Sequence, residues 1–281
     1  MSETINDAVA EPVVVKETKP PLESRLGRDA PFSFGQRFLT EEEKVFEHNA
    51  WDNVEWDDEQ FQKFQESINK QKENPVAEIQ KNEFNSKPKK YWDLFYKNNR
   101  ENFFKDRKWL EIEFPDIFKY TKADAGERTI LEIGCGAGNT MYPILSRNEN
   151  PKLRMFGCDY SDVAVELVRG NDNFPALHAS GNAFSSVWDL ANPEGRIPED
   201  MEENSVDIAV MIFIFSALNP NQWKQAISNL KKVLKPCGII LFRDYGRYDL
   251  AQIRFKKNRL LDDNFYVRGD GTRVYFFTEE E

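Results

Sequence analysis

Histidine and cysteine are scarce in this chain. His48, His178, Cys135, Cys158 and Cys237 are all that its 281 residues contain. Two distant histidines cannot build a His-based metal cluster, and no metal is expected. Three cysteines, far apart and in or beside predicted strands, make neither a disulfide frame nor a zinc spacing; reduced, mostly buried thiols in a cytosolic setting fit better. Long apolar runs are missing too. None approaches the roughly 20 residues that span a bilayer, so no membrane is expected as a partner. The opening stretch carries Glu3, Asp7 and Glu11 and no apolar core. It resembles neither a secretory signal nor an Arg-rich transit peptide, and the expected localisation is cytoplasmic. Positive charge is not in excess: the net charge is −10. That argues against nucleic acid for the surface as a whole, while a local basic patch stays compatible with it.

What is present is organised around residues 129 to 139, Thr-Ile-Leu-Glu-Ile-Gly-Cys-Gly-Ala-Gly-Asn. A short apolar run followed by Gly134, Gly136 and Gly138 reads as a buried parallel strand ending in a tight turn. Glycine allows positive φ and close approach of a ligand to the main chain. The stretch therefore predicts a nucleotide-type cofactor over the carboxyl end of a central strand. Asp159 ends the next predicted strand at about the separation expected of a ribose-binding acid. That acid suits a nicotinamide dinucleotide and S-adenosylmethionine equally. A glycine turn with no ligand is the plain alternative.

Taken in order, residues 1–35 hold four prolines and scattered charges and read as a disordered tail. Residues 36–120 read as a helical extension. It has a capping-box start at Thr40, an acidic Trp-containing stretch at 51–58, and a helix from Asp58 with Phe61, Phe64 and Ile68 on one face. Near residue 81 the charge changes sign. Lys87, Lys89, Lys90, Lys97, Arg100, Lys105, Arg107 and Lys108 alternate with Tyr91, Trp92, Phe95, Tyr96, Phe103, Phe104 and Trp109. This is either an amphipathic helix with solvated lysines or a basic, aromatic surface for RNA. From 121 the pattern is α/β. Strands are expected at Thr129–Ile133, Arg154–Cys158, Ala183–Trp188, Val206–Ile214 and Ile239–Arg243. Helices are expected through Met141–Leu145, over Asp162–Val168 behind a Ser161 cap, and over Pro220–Leu234 before a turn at Lys235-Pro236-Cys237-Gly238. The alternation gives a doubly wound sheet. The remainder interleaves Arg247, Arg254, Lys256, Lys257, Arg259, Arg268 and Arg273 with aromatics.

Glu132 followed by Gly-x-Gly-x-Gly resembles motif I of class I S-adenosylmethionine methyltransferases, a Rossmann-like fold. The resemblance implies a cofactor held by Glu132, Gly134, Gly136, Gly138 and Asn139. Asp159 and Tyr160 would serve the ribose side, Asp189 and Leu190 the adenine, and Ile212 the methionine side. Longer strings narrow the family. Trp92-Asp93-Leu94-Phe95-Tyr96, Asn102-Phe103-Phe104-Lys105-Asp106-Arg107, the 242–249 string Phe-Arg-Asp-Tyr-Gly-Arg-Tyr-Asp and the 264–273 string Asn-Phe-Tyr-Val-Arg-Gly-Asp-Gly-Thr-Arg are similar to the tRNA N3-methylcytidine methyltransferases. The 50–56 string resembles the fungal and animal branch acting on threonine-type tRNAs, and Trp188-Asp189-Leu190 looks fungal, so together they resemble a fungal-type threonine/serine-tRNA branch. The resemblance implies methylation of cytidine 32 in the tRNA anticodon loop. Cys237 departs from the family's usual Pro-Gly-Gly turn. The family also continues past the position of Glu281 with a helix and two closing strands.

If the target base is splayed into a pocket, Asp244 and Tyr245, at the carboxyl end of strand five, are placed to orient it, with Phe213 and Phe215 as stacking partners. A structural Arg243–Asp244 ion pair is the plain alternative. Phosphate contacts are expected from Lys89, Lys90, Lys105, Arg107, Arg247, Arg254, Lys256, Lys257, Arg259, Arg268 and Arg273, with Trp92 beside them. A helper such as a tRNA synthetase is left open. Two other readings stay in view: a non-catalytic RNA-binding subunit with this fold, and a methyltransferase acting on a protein or small molecule.

Overall fold

The computed structural model describes residues 58–281, apart from Asn102, Lys105 and Lys108. The expected disordered tail, the Thr40 helix start and the acidic Trp stretch to Asp57 lie outside the described residues. Five parallel strands run in the order β3-β2-β1-β4-β5. They are β1 (Arg128–Ile133), β2 (Leu153–Asp159), β3 (Ala183–Val187), β4 (Val206–Ile212) and β5 (Leu234–Arg243). The chain winds from β1 out to β3, then crosses to β4. The carboxyl ends of β1 and β4 therefore flank a topological switch point, where a crevice opens.

Side chains alternate between two cores on the two sheet faces. Ile130, Ile208, Val210 and Ile212 pack with Leu110, Ile117, Met141 and Ile144. Leu131, Ile133, Phe156, Ala209 and Met211 pack with Leu230 and Val233. Every residue of β4 is buried, and each fully buried Ile or Leu contributes roughly 1.5–3 kcal/mol. This two-sided burial is why the strands read as continuous apolar runs.

The first helices are α1 (Asp58–Lys72), α2 (Glu78–Ser86), α3 (Pro88–Asn99), α4 (Leu110–Glu113) and α5 (Pro115–Tyr120). Around the sheet lie α6 (Met141–Leu145), α7 (Asp162–Arg169), α8 (Phe174–Ala179) and α9 (Trp223–Val233). Ser161 caps α7, its hydroxyl accepting from the Ala164 N–H at 3.3 Å. Asn219 and Gln222 close a capping box at the 3₁₀ turn Pro220–Gln222 that leads into α9.

Three expected boundaries shift. β4 stops at Ile212, because Phe213 takes a left-handed φ of 59°. The expected helix from Pro220 begins as that 3₁₀ turn. The expected turn after α9 is absorbed into β5: Leu234 pairs with Val206 and Ile239 with Ile208, so the residues between form a bulge. Cys237 sits there at φ 67°, a conformation that glycine adopts more cheaply. β5 is the last strand of this sheet, and Ile239, Ile240 and Phe242 on it are exposed.

The polar, basic remainder holds more structure than its sequence suggests. After α10 (Leu250–Ile253), strands β6 (Leu260–Asp262), β7 (Phe265–Val267) and β8 (Arg273–Tyr275) form a small antiparallel sheet. Tyr266, Phe265 and Phe276 are fully buried. Gln71 of α1 locks this part to the N-terminal helices. Its amide donates to the Phe255 carbonyl at 2.9 Å, and its Oε1 accepts from the Tyr266 hydroxyl at 2.9 Å.

Candidate active site

A cleft enclosing about 970 Å³, its open mouth included, lies over the carboxyl ends of β1, β2 and β4. Its floor is the glycine turn. Gly134, Gly136 and Gly138 all have positive φ. A Cβ on Gly136 would stand 2.7 Å from the Tyr96 hydroxyl, and one on Gly134 would collide with Ile214. These two glycines therefore serve tight packing as well as the turn. Gly138 does not reach the cleft; it faces the Tyr142 ring.

Asp159, at the end of β2, is 7 % exposed and ties the floor together. Its carboxylate accepts from the N–H groups of Gly136 and Ser161, each at 2.9 Å. Burial pushes its pKa up to about 6, against the pull of those N–H donors. The Ser161 hydroxyl donates in turn to Asp93 of α3 at 2.6 Å. Lys89 bridges Asp93 and Asp162. The helix over the cleft and the loop under it thus share one polar network.

Glu132 lies on the cleft wall at 4 % exposure, and its Oε2 has no hydrogen-bond partner. Burial lifts its pKa to about 8, with Thr140, the Arg107 cation and Met141 opposing the shift. Arg107 lines the same cleft, and its Nε is buried and unpartnered. Burial lowers its pKa, and Glu132 is the strongest opposing influence. A carboxyl oxygen and a guanidinium N–H without partners on one cleft lining suit a ligand carrying both an ammonium and a carboxylate.

Most expected cofactor residues meet here. Glu132, Gly134, Gly136, Asn139, Asp159, Tyr160, Asp189, Leu190 and Ile212 all line the cleft. Of the residues expected at the base, Phe213 lines it, while Asp244 and Tyr245 stand behind. The Tyr245 ring packs on Phe213 at 4.7 Å. Asp244 accepts from the Ser216 and Tyr245 N–H groups at 2.9 Å. Arg243 pairs with Glu113 of α4 at 3.4 Å.

The expected phosphate contacts divide. Lys90, Arg254, Lys256 and Lys257 are exposed, while Arg247, Arg259 and Arg268 are half-buried. Lys105 lies outside the described residues. Trp92 lines the cleft and packs on Phe95 and Tyr96. Lys89 is committed to its two carboxylates. Arg107 and Arg273 line the cleft, and Arg273 is only 3 % exposed. For Arg273 this corrects the expectation of a surface phosphate contact, because its side chain is packed inside; Arg107 is half-buried. Tyr96, Gln222 and Trp188 join the cleft without having been expected there. Tyr96 belongs to the quoted 92–96 string and Trp188 to the quoted 188–190 string, the only signals for them, and Gln222 had none.

The model of a methyltransferase domain matches residues 131–240. The chain is 61% identical over 258 residues to a tRNA(Thr) (cytosine(32)-N(3))-methyltransferase of Saccharomyces cerevisiae, covering 92% of this chain and 40% of that protein. It is 53% identical to the tRNA N(3)-methylcytidine methyltransferase trm140 of Schizosaccharomyces pombe, covering 90% and 81% respectively. The chain belongs to the tRNA N3-methylcytidine methyltransferase family. A third member, the Xenopus tropicalis tRNA N(3)-cytidine methyltransferase METTL2, is 40% identical over 88% of this chain and 81% of its own length. The higher identities to the two fungal proteins agree with the branch that the 50–56 and 188–190 strings suggest.

Proposed function

We propose that this chain transfers a methyl group from S-adenosylmethionine to N3 of cytidine 32 in the anticodon loop of threonine or serine tRNAs. The observation that carries the reading is the unmet pair in the cleft wall. Glu132 Oε2 accepts from the cofactor's ammonium, and Arg107 pairs with its carboxylate. The backbone at Gly134 and Gly136 lets the ligand come close. Asp159, Tyr160, Asp189 and Leu190 take the adenosine part. When bound, the cofactor supplies an electrophilic methyl group on a sulfonium.

Cytosine N3 brings its own lone pair, so the protein need not remove a proton. Transfer of that methyl group would leave the base cationic, so no proton acceptor is called for. Positioning and exclusion of water are therefore the protein's main tasks. Phe213 has the backbone strain that collects at functional sites, and its ring lines the cleft where a splayed base would stack. Tyr245 backs it. Asp244 does not line the cleft, so it acts through the loop and ring that it holds. Lys90, Arg254, Lys256 and Lys257 meet phosphates on the outside.

Nucleoside mass spectrometry on single tRNA species from cells lacking the gene tests this reading. Loss of 3-methylcytidine from position 32 supports it. Unchanged 3-methylcytidine overturns it.

A further inference from the structure

Arg273 stands out among the buried cations. It leads β8 of the small sheet and reaches the cleft at 3 % exposure. Its two terminal nitrogens donate to neutral oxygens, Asn85 Oδ1 at 3.1 Å and the Ala217 carbonyl at 3.2 Å. Its Nε–H is buried without an acceptor. It forms no ion pair among the described residues, and one face lies over the Phe265 ring at 5.5 Å. Burial drives its pKa down to about 10, and the titratable neighbour opposing that shift is the Tyr160 phenol. A buried guanidinium with an unmet donor costs several kcal/mol unless something arrives to meet it.

What arrives must come through the cleft, because the side chain is closed to solvent. A phosphate on a bulky polynucleotide approaches from the open surface. A small ligand filling the cleft reaches Arg273 from inside. The cleft-lining neighbours that meet it are the Ala217 carbonyl and Tyr160, in contrast to the Glu132 carboxyl that stands near Arg107. We infer that Arg273 is a cofactor residue: its Nε–H donates to an acceptor on the adenosine part, a ribose oxygen or a ring nitrogen. The inference rests on the S-adenosylmethionine reading above. It also ties the small C-terminal sheet to cofactor binding, since Arg273 joins β8, Asn85 of α2 and the loop after β4 at one point.

Calorimetry on the full 281-residue chain tests this with two ligands. S-adenosylhomocysteine carries both the amino-acid and adenosine parts; 5′-methylthioadenosine carries only the second. Arg273→Met and Arg273→Lys should weaken binding of both ligands by the same factor, roughly 10- to 100-fold for one charge-assisted hydrogen bond. The salt slope of tRNA binding should not move. Thermal unfolding shows that each variant is folded. Unchanged affinity for methylthioadenosine in a folded variant overturns the inference, whether or not stability falls. So does a salt slope that drops by about 0.7 to 0.9, which would make Arg273 a phosphate ligand. If the unaltered chain binds neither ligand, the S-adenosylmethionine reading itself has failed.

Discussion

Two arginines line the cleft, half-buried Arg107 and buried Arg273, and they differ in what stands beside them. Arg107 has Glu132 near it, a buried carboxyl group whose Oε2 is itself short of a hydrogen-bond partner. Arg273 has a tyrosine and neutral carbonyls. Both residues come from strings where arginine alternates with aromatics. The surroundings, and not the residue type, decide that the first suits a charged amino acid group and the second a neutral polar one.

The sharpest way to break that contrast is Arg107→Met. It takes from Glu132 the cation that opposes its pKa shift and removes the partner proposed for a carboxylate. S-adenosylhomocysteine affinity should fall about 100-fold or more, while methylthioadenosine affinity should hardly change. Equal losses for the two ligands in calorimetry would erase the distinction between the two arginines.

The cleft floor is expected to be nearly as sensitive. Gly136→Ala adds a Cβ 2.7 Å from the Tyr96 hydroxyl at a φ of 54°. Denaturant unfolding should show a loss of roughly 1–3 kcal/mol. Adding Tyr96→Phe should restore part of it by removing the clashing oxygen, leaving the backbone strain. No restoration would mean that the clash is not with Tyr96.

A smaller effect follows from Glu132. Its pKa rises on folding from 4.5 to about 8, so the folded protein holds a proton that the unfolded chain has released. Stability without cofactor should therefore fall as pH climbs from about 4.5 to 8, and level off above. Glu132→Gln should flatten that part of the curve and raise stability at pH 8 to 9, while weakening S-adenosylhomocysteine binding. A wild-type melting temperature that stays level across pH 5 to 8 would contradict the assignment. The smallest effect belongs to the outer surface. Lys256→Ala with Lys257→Ala should reduce the tRNA salt slope by roughly 0.7 to 0.9 for each phosphate that is no longer neutralised, without changing cofactor affinity.

The parallel sheet was legible because β1, β2 and β4 are buried on both faces and read as apolar runs. The glycine turn and Asp159 announced the cleft floor through spacing alone. The roof was not legible. Tyr96, Arg107 and Arg273 sit in strings where charge and aromatics alternate, and that alternation looks the same for an RNA surface and for a buried polar wall. The small sheet was missed for a related reason: β6, β7 and β8 are three residues each, too short for a period to show. The β5 bulge hid because Pro236 and Gly238 signal a turn whether or not pairing continues through it.

Incubating the purified chain with a threonine tRNA and S-adenosylmethionine, then mapping the modified nucleoside, tests the central claim most directly. The account predicts 3-methylcytidine at position 32, abolished in the Arg107→Met variant. Methylation at another position or atom, or a tRNA bound but left unmodified while S-adenosylhomocysteine binds normally, would contradict it.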